Sequence, residues 1–407
     1  MTELIIIGGG FAGLKAALSA VYENKKHEGD VQVTLVSDKN FLVLRPRLYQ
    51  NNPENMRVDL EPVLEPVGIN FIEGRVSEID LQNHQITISK TKLLELSIPY
   101  DQVILAAGSV SKKLPIPGLE KHSFDINSYE AAIKLDSHLL KVARLPTMAG
   151  HNRFVILGAG ISGIELATEL RSRIRAHSND ETAAAIEITI IDQADHIGPA
   201  ANDAAQAIFS QAFEAAGVDV KLGRTVTKVG AFSVTLDDGE EIETASVIIT
   251  AGLQANPLAN YMAKLINAEL DPAGRLVVDD SLRVKGVKNI FAAGDIAAAK
   301  ADEEHVALMS CQHAMPMGGH AGFNAVHTLL SLPHRKYSQP NYVTCIDLGE
   351  AGGIVTKGWE REVDMTGQDA GDLKKKINED YIYPPDGSAE NIMSHADIDA
   401  HWADSSE

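Results

Sequence analysis

The chain has 407 residues, 44% of them hydrophobic and 23% charged, an ordinary globular profile with room for two or three fully cored domains. A formal charge of −20 repels phosphate backbones and anionic headgroups, which excludes nucleic acid as a partner. Cys311 and Cys345 offer no disulfide framework, no apolar run approaches the ~20 residues of a spanning helix, and the first glycine motif starts at Gly8, too early for a signal peptide. The expectation is a cytoplasmic protein.

Residues 4–7 (LIII) suit a buried parallel strand, and the residues after Gly13 have the apolar spacing of a helix. Between them Gly8, Gly10 and Gly13 form G-x-G-x-x-G. That spacing meets three needs of a dinucleotide cradle: a tight turn, close approach of the backbone to a pyrophosphate, and close helix–strand packing. The helix start, with Phe11 and Ala12 as further cofactor-binding candidates, adds backbone N–H donors and a partial positive charge. The next strand, residues 31–36 (VQVTLV), should end in an acid that holds an adenosine ribose. Ser37 takes that place and Asp38 follows it, so Asp38 is the candidate. Residues 100–108 (YDQVILAAG) form a further buried strand ending in Ala107 and Gly108.

The device then recurs. Residues 154–157 (FVIL) run into Gly158, Gly160 and Gly163. Residues 186–192 (IEITIID) end in Asp192, placed to accept from both ribose hydroxyls and to repel a 2′-phosphate. Gln193 and Ala194 follow, with no arginine for that phosphate, which favours NAD over NADP. Residues 247–252 (VIITAG) and 289–295 (NIFAAGD) are two more strands, ending at Gly252 and at Gly294-Asp295. A glycine at a strand's carboxyl end lets a loop pass close to a ligand, and open α/β sheets bind ligands at that edge. The pattern predicts an α/β protein with two Rossmann-like domains.

Residues 310–322 (SCQHAMPMGGHAG) gather a thiol, two imidazoles and three glycines. His313, His320, His327 and His334 recur every seven residues, about 10 Å apart along a helix, too far to share one ion, so no metal site is predicted. A nucleophilic Cys311 would need a lowered pKa and a base in reach. Gly318, Ala321, Gly322 and Ala325 instead form a stripe of small residues, with Pro316 read as part of the first helical turn. Residues 342–349 and 353–356 read as short strands, and residues 372–382 as a helix with Leu373, Ile377 and Tyr381 on one stripe and Lys374 to Lys376 beside it. Residues 386–407 carry six carboxylates and no Lys or Arg, the composition of a solvated, disordered tail.

With these segments placed, residues 1–330 resemble the two-dinucleotide-binding flavoproteins of the pyridine nucleotide oxidoreductase superfamily. The resemblance implies a glutathione-reductase-like architecture: a discontinuous FAD domain at 1–112 and 256–330, an inserted NADH domain at 113–255, a small α+β segment at 331–385 and the tail at 386–407. It implies that Gly8, Gly10 and Gly13 hold the FAD pyrophosphate, Asp295 the ribityl chain and Val76 the adenine. Gly158, Gly160, Gly163 and Asp192 would hold NADH. Glu165 matches a carboxylate near the stacked nicotinamide and flavin; the alternative is a solvated acid that only favours the helix dipole.

Residues 41–50 (FLVLRPRLYQ) contain no cysteine, which excludes the dithiol relay of the disulfide reductases. They resemble instead the proline–leucine–tyrosine segment of type II NADH dehydrogenases. Gln312 and Ala314 match that group's A-Q-x-A-x-Q motif beside the flavin, while Cys311 and Pro316 depart from it. The resemblance therefore implies hydride transfer from NADH to FAD and onward electron transfer to a quinone, with Glu165 and Gln312 at the chemistry. A soluble NADH diaphorase, a reductase for an electron-transfer protein, and a regulatory NADH-binding flavoprotein are the alternatives. Arg45 and Arg47 either neutralise cofactor charge or sit on the surface. The chain lacks a basic amphipathic ending, so peripheral membrane attachment rests on the lysine helix alone; a homodimer is allowed.

Overall fold

A computed structural model describes residues 2–91, 94–145, 150–198 and 202–400. The chain opens with β1 (Thr2–Ile7), whose Leu4 to Ile7 are buried, followed by helix α1 (Phe11–Lys26) and strand β2 (Val31–Ser37). Strands β3 (Asn70–Glu73) and β4 (Gln102–Leu105) join them. The chain leaves this sheet through β5 (Ser109–Ser111) and builds a second one from β6 (Ser123–Asp125), β7 (Arg153–Leu157), helix α2 (Ile161–His177), β8 (Glu187–Ile191), β9 (Val218–Lys221) and β10 (Ser246–Ile249). It returns through β11 (Leu253–Ala255), which pairs antiparallel with β5, and completes the first sheet with β12 (Ile290–Ala292).

The first sheet has the order β12-β4-β1-β2-β3 and the second β6-β10-β7-β8-β9, with every neighbour parallel. Parallel strands need crossovers that cover both faces, which is why their sequences read as continuous apolar runs. In both sheets the strand that enters the glycine turn sits at the centre. The β5–β11 ribbon joins the two Rossmann-like units, and open sheets of this kind bind ligands at their carboxyl edges.

Helix α3 (Cys311–Leu329) lies along α1, and the small residues of its stripe make that contact. A Cβ on Gly318 would lie 2.1 Å from Ala12 O, and one on Gly322 would lie 2.2 Å from Ala16 O. Ser310 caps α3 by accepting from His313 N at 3.3 Å. Pro316 is thus the sixth residue of the helix and not part of its first turn, as the sequence reading had it. Its missing N–H would orphan the Gln312 carbonyl. Gln339 Nε2 donates to that carbonyl at 3.0 Å and makes the proline tolerable.

The C-terminal region forms an antiparallel sheet of β13 (Val343–Asp347), β14 (Gly353–Lys357) and β15 (Glu362–Thr366), the last missing from the sequence reading. Helix α4 (Gly367–Lys376) follows and runs into a π turn at Ile377–Tyr381. The buried face of α4 and the π turn carries Ala370, Lys374 and Asn378, one position round from the expected stripe of Leu373, Ile377 and Tyr381. The tail also departs from expectation. Residues 386–400 are folded, with helix α5 (Ala389–Ser394) and with Ile392 and Ala396 fully buried. A count of charges misses this because two apolar residues and Lys15, which donates to three tail carbonyls, hold the segment down. Residues 401–407 lie outside the described residues. No helix among the described residues is long and apolar enough to cross a membrane.

Candidate active site

Each cradle rests on a contact that only glycine allows. At Gly8 φ is +116°, and a Cβ there would lie 2.4 Å from Ala106 O. A Cβ on Gly13 would lie 1.7 Å from Gly8 O, while Gly10 faces open space. The second cradle repeats this: Gly158 has φ +112°, a Cβ on Gly163 would lie 1.9 Å from Gly158 O, and Gly160 is open. Among the described residues no side chain caps the start of α1 or α2, and neither first turn carries an acid. The positive end of each helix dipole is therefore left without an acid or a side-chain cap, which fits a dinucleotide pyrophosphate at both.

A cleft of about 1690 Å³ opens at the carboxyl edge of the first sheet. Gly8, Gly10, Phe11, Ala12, Asp38, Val76, Ala107, Gly108, Gly294, Asp295 and Gln312 line it, and Glu165 reaches it from α2. Gly13 lies behind the cleft, packed on Gly8. Gly158, Gly160, Gly163, Asp192 and Gly252 surround the second cradle instead. There Asp192 accepts from Ala159 N at 2.6 Å and from Ala194 N at 2.9 Å, which pins the carboxylate beside the glycine turn. Asp38 is exposed, and Ser37 before it is buried.

Beside Asp295 the two arginines separate. Ser109 Oγ donates to Asp295 Oδ2 at 2.6 Å, and Arg45 Nη1 donates to Ser109 Oγ at 2.7 Å and lies 3.6 Å from the carboxylate. Arg45 lines the cleft, and its Nη2 is buried without a protein partner among the described residues. Arg47 is structural: Nη1 donates to Tyr383 Oη at 2.6 Å and Nε to Gln50 Oε1 at 3.0 Å.

Glu165 is not a solvated acid. It is buried, its Oε1 lies 2.7 Å from Lys374 Nζ, and the same oxygen accepts from Asp347 N at 3.3 Å. Burial pushes the Glu165 carboxyl up, against the pull of Lys374. Burial is the largest single influence on the Lys374 ammonium and lowers it, but the charge and hydrogen bond of Glu165, with Cys345 and Cys311, together hold Lys374 above its ordinary value. Both directions favour a proton on the pair, with Lys374 held as the cation beside Glu165. Tyr49 Oη donates to Asp347 Oδ2 at 2.8 Å and accepts from Asn378 Nδ2 at 3.2 Å, extending the polar cluster.

The thiols and imidazoles of the opening of α3 take quieter roles. Cys311 and Cys345 both line the cleft, a juxtaposition the sequence did not suggest. Burial raises both thiols, Cys345 to about 11, so neither is a ready thiolate at neutral pH. His313 is fully buried, packed near Tyr342 and Trp359, and burial lowers it to about 4. Sequence reasoning missed Lys374, Asp347 and Tyr49. The one available signal was the spacing of Ala370, Lys374 and Asn378, which puts a lysine on the small, buried face of α4.

Three comparisons place this geometry among known proteins. The family described as pyridine nucleotide-disulphide oxidoreductase matches residues 2–318. An NADH dehydrogenase-like protein of Mycobacterium tuberculosis is 38% identical over 400 residues, covering 97% of this chain and 98% of that protein. A type II NADH:quinone oxidoreductase of Staphylococcus epidermidis is 24% identical over 400 residues, covering 94% and 95%. Among solved structures, NDH2 from Plasmodium falciparum in complex with NADH shares the fold, with a TM-score of 0.75 at 15% identity over 92% of this chain and 94% of that one. The chain belongs to the pyridine nucleotide-disulphide oxidoreductase family.

Proposed function

We propose that the protein is an FAD-dependent NADH:quinone oxidoreductase. The observation that carries this reading is the cleft itself, which joins the first cradle to the opening turns of α2 and ends at the buried Glu165–Lys374 pair. The names of the Mycobacterium and Staphylococcus relatives support it. Gly8, Gly10 and Gly13, with Phe11 and Ala12, would hold the FAD pyrophosphate, Asp295 the ribityl chain, and Val76 and Asp38 the adenosine. Gly158, Gly160, Gly163, Asp192 and Gly252 would hold NADH, and Asp192 opposes the extra phosphate of NADPH.

When bound, the flavin accepts a hydride from NADH and returns two electrons to the acceptor. The overall balance, NADH plus a proton plus quinone giving NAD⁺ plus quinol, requires one proton from the protein or solvent. Glu165 is the residue placed to pass it: burial strengthens its hold on a proton, and Lys374 and the Asp347 N–H fix the oxygen that gives it up. Arg45, with its unpaired nitrogen, supplies positive charge where anionic character develops. Gln312 lines the same wall at the start of α3, whose N-terminal dipole acts in the same sense.

Anaerobic mixing of the purified, flavin-loaded protein with NADH tests this. The flavin band should bleach rapidly, and a water-soluble quinone should restore it through many turnovers. Bleaching without quinone turnover would assign the electrons to a carrier protein. A slow, long-lived NADH–flavin complex would assign a regulatory role, and a chain that binds no flavin would overturn the proposal. Because quinones partition into bilayers, the same reading expects the protein to co-sediment with vesicles.

A further inference from the structure

The far ends of α1 and α3 carry a cluster that the redox reading does not use. Glu23 and His27 stand one turn apart at the end of α1, and His327 comes from the last turn of α3. One ligand atom from each lies within 4.8 Å of the others. His327 Nε2 is 3.1 Å from Glu23 Oε2, and His27 Nε2 is 3.3 Å from the same oxygen. A tetrahedral site with bonds of about 2.0–2.1 Å spaces its ligand atoms by about 3.3 Å. The two measured separations suit it.

Hydrogen bonding decides what belongs between these atoms. His327 Nδ1 lies 2.6 Å from Pro333 O, a carbonyl that can only accept, so Nδ1 carries the proton. In the neutral ring Nε2 is then a lone pair aimed at the Glu23 carboxylate. Both side chains are nearly inaccessible, at 8% and 1%, so two acceptors face each other with no bulk water to separate them. A cation seated between them would satisfy both. A metal-bound imidazole commonly donates its second N–H to a backbone carbonyl, as His327 does. The second Glu23 oxygen accepts from Lys26 Nζ at 3.1 Å, which leaves Oε2 as the single ligand atom.

Position adds a further reason. Gly318 meets Ala12 and Gly322 meets Ala16, so α1 and α3 run parallel and their negative dipole ends converge beside the cluster. His27 is 34% exposed and gives an ion a way in, with water able to complete the coordination. Two imidazoles and one carboxylate suit a borderline first-row metal and not magnesium or calcium, which take oxygen ligands.

We propose that Glu23, His27 and His327 bind one divalent transition metal ion of the zinc class, which staples together the ends of the two helices whose starts face the cleft. The test uses the full-length, flavin-loaded protein after chelator treatment, with Co²⁺ as the spectroscopic probe and Zn²⁺ as competitor. The expected result is one Co²⁺ per chain with an intense tetrahedral spectrum, displaced by Zn²⁺, and a rise in melting temperature with either ion. His27→Ala, at a half-exposed position, should keep the fold and weaken metal affinity at least about tenfold. A chain that binds no Co²⁺, or a His27→Ala variant that binds it equally well, would overturn the proposal.

Discussion

Helices α1 and α2 begin with the same glycine turn, yet two residues past the third glycine they carry opposite charges. In α1 that residue is Lys15; in α2 it is Glu165. Both are buried, and both hold a piece of the C-terminal chain. Lys15 Nζ donates to the carbonyls of His395, Asp397 and Ala400 at 2.6, 2.9 and 3.1 Å, while Glu165 pairs with Lys374 of α4. Eight residues further on the contrast recurs, with a buried Glu23 in α1 and a buried Arg173 in α2. The glycines specify a turn, and the first buried charge after it specifies what docks against that turn. One cradle gains a tail, the other a proton-holding pair.

The comparison breaks most completely at the glycines. Gly13→Ala should abolish flavin binding and Gly163→Ala should abolish NADH binding with flavin retained, because each new Cβ overlaps a carbonyl. Flavin absorbance and NADH titration separate the two, and overpacking adds about 1–3 kcal/mol of destabilisation. Next come the buried charges. Lys374→Met leaves Glu165 without its partner and should cost about 3–5 kcal/mol, with Glu165→Gln in the same chain recovering most of it. Lys15→Met orphans the tail carbonyls and should cost about 1–3 kcal/mol, read by denaturation and by new protease cleavage within residues 386–400.

A pH series sharpens the contrast. The position six past the third glycine is Ser19 in α1 and Glu169 in α2. Burial, with repulsion from Asp347, raises Glu169 to about 7 from the ordinary 4.5. A raised carboxyl binds its proton more tightly when folded, so its contribution is complete below the unfolded value of about 4.5 and is lost as pH climbs through 7. Glu169→Gln should flatten the fall in melting temperature between pH 5 and 8, a difference of a few kcal/mol at most. The smallest effects belong to the acids after each second strand. Asp192→Ala should raise the NADH KM about tenfold and narrow the preference over NADPH, through loss of charged hydrogen bonds. Asp38→Ala, at an exposed site, should weaken flavin binding by less than that; a larger loss would show that the first cradle depends on its acid as the second does.

The two glycine motifs, their flanking apolar strands and Asp192 were legible because each depends on residues close in the chain. Gly13 must be glycine on account of Gly8, five residues earlier, and the four-residue apolar runs declare strands buried on both faces. The tail was illegible because its charge count describes solvent-facing side chains, whereas Ile392, Ala396 and a few backbone carbonyls decide its fate. Pro316 was misplaced by a turn because the cap at Ser310 and the rescue by Gln339 are tertiary facts.

By itself, then, the sequence determined two dinucleotide turns and an acidic, cysteine-poor frame around them. Tertiary structure alone decided that Glu165 meets Lys374, that Arg45 enters the cleft while Arg47 does not, and that Glu23 and His27 meet His327. Local steric rules act within a turn and can be read along the chain. Burial of a charge is decided by whichever distant segment arrives to pair with it, and no spacing in the sequence records that arrival.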